Sequence, residues 1–166
     1  MTGPDDESLD ERAYVVALTC RCDAVVASLR ANGASADLTG LRTLVSECEY
    51  RLGAAHRQTV RLRANLASWG GELGAPAQAG TELAALWDQA ARSFGPRDAD
   101  TLLIACNAAA FTGIAGDPRG AVTVLEQVID DVEAVFGPES ATARMARRNL
   151  RVWRDGAEAS PAGGQS

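Results

Sequence analysis

The chain has 166 residues, nearly half of them apolar, which is enough for one domain with a real core and too little for two generous ones. A formal net charge of −6 argues against bulk nucleic-acid binding or a polybasic membrane contact, and all sixteen basic residues are arginine. No apolar run approaches a membrane span, and the acidic start MTGPDDESLDER lacks the pattern of a signal peptide, so the expectation is a cytoplasmic protein with no membrane partner.

Taken in chain order, the sequence predicts a polar, unstructured segment over 1–7, then helices over 8–32, 37–52, 57–73, 77–94, 98–115, 118–136 and 140–155, then a small-residue tail over 156–166. Gly33, Gly53, Gly74, Gly95, Gly116 and Gly137 stand at the predicted helix ends, where a left-handed residue closes a helix. Pro76, Pro96, Pro118 and Pro138 follow some of them within two residues, and Asp98 and Asp117 are candidate N-caps. The connections are short, so successive helices are expected to run antiparallel. Few aromatics and much alanine suit an all-α fold.

The punctuation repeats. Gly53, Gly95 and Gly137 recur at a 42-residue interval, as do Asn65, Asn107 and Asn149, and the aromatics Trp69, Phe111 and Trp153. A fixed period of a few tens of residues marks a stacked repeat protein, whose usual work is to present a surface. One stripe of the odd-numbered helices is apolar: Leu62, Leu66, Trp69 and Leu73, then Ile104, Ala108, Phe111 and Ala115, then Ala146, Leu150 and Trp153. It is expected to pack on the even-numbered helices through Leu41, Leu44 and Val45, Leu83, Leu86 and Trp87, and Leu125, Val128 and Ile129. Helix one carries Leu18, Val25, Val26 and Leu29, available either to the core or to self-association into a homo-oligomer.

A second stripe reads Arg61, Asn65, Ser68 and Glu72, then Leu103, Asn107, Ala110 and Ile114, then Met145, Asn149 and Val152. Asparagine is a mediocre residue for a helix interior, so three at one phase of the repeat want a reason. A carboxamide offers two donors and an acceptor, which matches a peptide backbone without demanding a particular side chain. Arg61 and Arg148 can add charge-assisted bonds to an acidic residue of a ligand, and Leu103, Ile114, Met145 and Val152 can supply apolar pockets. The competing reading is that each asparagine bonds a neighbouring helix and fixes the repeat geometry.

Beside these residues the chain resembles the tetratricopeptide repeats, in the 42-residue, kinesin-light-chain-like kind common in actinobacterial proteins. The resemblance rests on the junction threonines Thr59 and Thr101, on Asn65-Leu66-Ala67, and on Gly116-Asp117, Ala121 and Leu125-Glu126, and it covers roughly residues 37–155. Arg57, Gly70 and Thr112 depart from the family pattern, as do Asp23 and Ala27 in the first helix. What the resemblance implies is a right-handed superhelical solenoid of antiparallel helix pairs over 8–155. The first helix of each pair would line a concave groove, and Asn65, Asn107 and Asn149 would hold a bound peptide there. The expected function is a protein–protein interaction adaptor or scaffold, with a protein or peptide as partner. The alternative is a regulatory module of a transcription-factor or DNA-associated complex, using Arg144, Arg147, Arg148, Arg151 and Arg154 of the last helix. That arginine face also suits the polar outer side of a terminal repeat, and Glu126, Asp130, Asp131 and Glu133 are placed to neutralise it.

Chemistry is not expected. The chain has no lysine for a phosphate loop and no Gly-x-Ser-x-Gly elbow, and His56 is its one histidine. Cys20, Cys22, Cys48 and Cys106 do not suggest a disulfide framework or a zinc site. No catalytic, cofactor-binding or metal-binding residues are assigned.

Overall fold

The computed structural model describes residues 9–33 and 37–159. Among the described residues every regular element is helical, and there are seven: α1 (Leu9–Asn32), α2 (Thr39–Leu52), α3 (Arg57–Glu72), α4 (Pro76–Phe94), α5 (Ala99–Ile114), α6 (Pro118–Phe136) and α7 (Ala141–Ala159). The expected unstructured segment 1–7 lies outside the described residues, as does the expected disordered tail 156–166 from residue 160 on; its first four residues, 156–159, are helical instead. α7 runs through Ala159, past the expected end at 155. Alanine and glutamate propagate the helix there, and a Cβ on Gly156 would meet Pro118 Cβ at 3.7 Å, so this last turn lies beside the start of α6.

The chain divides into two compact units, 1–62 and 63–166. In the first, α1 lies on α2. Leu18, Leu29, Leu41, Leu44 and Cys48 are buried. An Arg21–Glu47 ion pair at 2.7 Å ties the two helices, and the Arg51 guanidinium stands 4.7 Å from the centre of the Tyr14 ring. Val25 and Val26 are half-buried, and Val25 reaches Gly40, so most of the apolar face of α1 serves this packing. Thr59 is buried and donates its hydroxyl to Cys48 Sγ at 3.3 Å.

In the second unit α4 packs on α5, α5 on α6, and α6 on α7, while α5 also touches α7. With only Ala115, Gly116 and Asp117 between them, α6 must run back along α5. The core is Leu102, Ala105, Ala109, Leu125, Val128, Val132, Ala143, Ala146 and Leu150. Each fully buried leucine contributes about 1.5–3 kcal/mol by leaving water. α5 is therefore buried on more than one side, wider than the single stripe Ile104, Ala108 and Phe111. Ala115 does not join that stripe; it is exposed and closes the helix, its N–H bonding the carbonyls of Gly113 and Phe111.

The 42-residue period is written into the backbone. One type of connection has four residues: the N–H groups of Gly53, Gly95 and Gly137 donate to Glu49, Ala91 and Glu133, and those of His56, Asp98 and Ser140 donate back to the three glycine carbonyls. The residue at the fourth place caps the next helix each time. His56 Nδ1 accepts from Gln58 N at 3.2 Å, Asp98 Oδ1 from Asp100 N at 3.0 Å, and Ser140 Oγ from Ala143 N at 3.1 Å. The other type has three residues, with Ala75 N bonding Gly70 O and Asp117 N bonding Thr112 O, both at 3.1 Å, as in a Schellman turn. All six glycines named at helix ends have positive φ; at Gly116 it is +100°, which an L side chain rarely adopts.

Candidate protein-binding face

The odd-numbered helices of the second unit meet through a glycine and an aromatic. A Cβ on Gly71 of α3 would fall inside Phe111 of α5, and a Cβ on Gly113 of α5 would fall inside Trp153 of α7. The two glycines and the two rings both keep the repeat interval. Bare backbone at 71 and 113 lets each ring come up against the preceding odd helix, which brings α5 to α3 and α7 to α5 at these points. The rings thus pack along the row of odd helices, in addition to the even helices expected from the sequence. Phe111 is buried, whereas Trp69 and Trp153 are only half-buried, so the full cost of deleting a buried tryptophan does not apply to them.

That row leaves one stripe of each helix outward. On α5 the stripe carries Leu103, Asn107 and Ile114; on α7 it carries Met145, Arg148, Asn149 and Val152. Leu103 is 38 % exposed, Ile114 58 %, Met145 63 % and Val152 48 %, against 0 % for the core leucines Leu102 and Leu125. Four large apolar side chains on two touching helices are thus left in water. On α3, Asn65 and Glu72 are exposed, and Arg61, which belongs to the first unit, is exposed too. Ser68 differs from the expected open position: its Oγ is enclosed and has no hydrogen-bond partner among the described residues.

Asn65 and Asn107 are exposed and Asn149 is half-buried. None of the three carboxamides makes a hydrogen bond to another described residue. Each keeps its donors and acceptor available, where an asparagine that fixed the repeat geometry would spend them on a neighbouring helix.

The arginines of α7 are largely committed. Arg147 bonds Glu133 at 2.6 Å and the Pro138 carbonyl at 2.7 Å, Arg154 bonds Glu126 at 2.7 Å, and Arg144 donates to the Glu139 carbonyl. Asp131 turns away to Arg97 at 2.8 Å. The Arg147–Glu133 and Arg154–Glu126 pairs hold α7 to α6 and lower the charge available to phosphate; Arg148 and Arg151 stay exposed.

His56 is occupied as a cap, with Nε2 3.5 Å from Glu11 of α1, so the one histidine is spent on local structure. All four cysteines are free thiols. Burial raises the Cys106 thiol to about 11, away from nucleophilic use. Among the described residues no group of three histidine, cysteine or carboxylate side chains is placed to hold a metal ion. The sequence reading missed His56 and Ser140 as caps and Gly71 and Gly113 as ring seats. The signal for the seats was present, because both the glycines and the aromatics keep the 42-residue interval.

No protein-family model matches the chain, and neither a curated protein nor a solved structure matches it.

Proposed function

We propose that this protein is a protein–protein interaction adaptor, a short solenoid of 42-residue helical hairpins that binds a segment of a partner along α3, α5 and α7. The reading rests on one observation above the others. The outward stripe of α5 and α7 combines four exposed apolar side chains with the uncommitted carboxamides of Asn107 and Asn149. Apolar side chains of the partner would fill the spaces beside Leu103, Ile114, Met145 and Val152, while the carboxamides pair with its backbone. The solenoid arrangement, akin to the tetratricopeptide repeats, is supported by the identical connections once per period and by the two glycine–aromatic seats.

The test is selection of binders from a phage-displayed random peptide library on the immobilised chain. Competing peptides that lose affinity together for Asn107→Ala and Met145→Glu, at unchanged melting temperature, support the reading. Binders indifferent to both substitutions remove it.

A further inference from the structure

A second feature lies away from the α5–α7 stripe. α4, α6 and the connection before α5 enclose a cleft of about 180 Å³, walled by Trp87, Asp88, Pro96, Gln127, Val128 and Asp131. Metabolite and drug sites run to about 300–1,000 Å³, so this cleft has room for one side chain and not for a small-molecule ligand. Trp87 packs against the core on one side, as expected, and is half-buried because it also forms part of the wall. Asp88 is exposed and has no ion pair among the described residues. At the rim Arg97, 66 % exposed, reaches Asp131 with Nε at 2.8 Å. A guanidinium is thus already held at one edge of the cleft, on a tether, while an indole and a second carboxylate stand open beside it.

We propose that this cleft receives one arginine side chain of a partner protein. A planar guanidinium can lie against the indole while its five N–H donors reach Asp88 and Asp131, where a lysine ammonium offers three donors from a single nitrogen. The net charge of −6 favours approach of a cationic segment. Arg97 then acts as a resident competitor for Asp131. This goes beyond the adaptor reading, since it uses different helices and a different chemistry.

The experiment is an NMR titration of the full chain with acetyl-Gly-Arg-Gly-amide, following the Trp87 indole N–H and the amides of Asp88 and Gln127. Saturable shifts confined to those signals are expected. Asp88→Asn should weaken binding about fivefold, and Arg97→Ala should tighten it about threefold, the scale of exposed charge contacts. Free arginine, which brings a like-charged carboxylate, should bind more weakly than the capped peptide; equal or tighter binding overturns a partner protein as the source. Equal shifts from the citrulline peptide, shifts absent or spread over the surface, or two variants with unchanged affinity overturn the proposal altogether.

Discussion

Phe111 occupies the space that a side chain on Gly71 would need, and one period further on Trp153 stands in the same relation to Gly113. Glycine inside a helix costs about 1 kcal/mol against alanine, so two such residues at one phase reflect packing and not helix preference.

Gly113→Ala should destabilise the protein by about 1–3 kcal/mol, because the crowding of Trp153 outweighs the gain in helix propensity. In a Trp153→Leu background the same change should be neutral or stabilising. Urea unfolding of the four members of this cycle reads the coupling directly; additive effects would mean that the two residues do not touch.

Thr59 and Thr101 are both buried, yet they are not equivalent. Thr59 donates to Cys48 Sγ, whereas the Thr101 hydroxyl has no partner, and the residue one period after Cys48 is Ala90, which offers no acceptor. Thr101→Val should be neutral or stabilise by up to about 1 kcal/mol, and Thr59→Val should cost about 0.5–1 kcal/mol. Thermal melts of both variants suffice, and a reversed order would contradict the hydrogen bonding.

Gly116→Val should cost about 1–3 kcal/mol, since φ of +100° is closed to a β-branched residue. Gly70→Ala serves as the control. Gly70 is helical with nothing within 4 Å of an added Cβ, and alanine there should stabilise by about 0.5–1 kcal/mol. Equal melting points for the two variants would refute the turn assignment.

The thiols should separate by reactivity. Cys20 is exposed, Cys48 is buried, and burial lifts Cys106 from 9.0 to about 11. Iodoacetamide at neutral pH should label Cys20 first and reach Cys106 and Cys48 only on unfolding, as peptide mass spectrometry will show. A pKa raised in the native state has a defined sign here. The unfolded thiol loses its proton first, so the contribution of Cys106 is unchanged below about 9, and stability falls as pH rises from there towards about 11. Cys106→Ala should remove that part of the alkaline slope.

Much of the helical plan was legible because its signals are local. Glycine at a helix end and proline or aspartate at the next start act within a few residues, and Asp98 and Asp117 cap as their type suggests. The burial of Leu102, Ala105 and Ala109 was harder to read. A stripe calculated for one neighbour cannot report that α5 is flanked by α4, α6 and α7. His56 was obscured for a different reason: imidazole is an uncommon cap, and only the bond from Gln58 N reveals its role. The outward stripe was visible from its phase, but the enclosure of the Ser68 hydroxyl depends on packing that no single-helix pattern contains.

The glycine–ring seats also constrain how such a chain can lengthen. They behave as a ratchet with a single tooth spacing: duplicating one whole 42-residue segment within it would add a tooth and leave every later ring on its seat. An insertion of half that length between a glycine and its ring would carry that aromatic off its seat, so new segments can enter there only in whole steps.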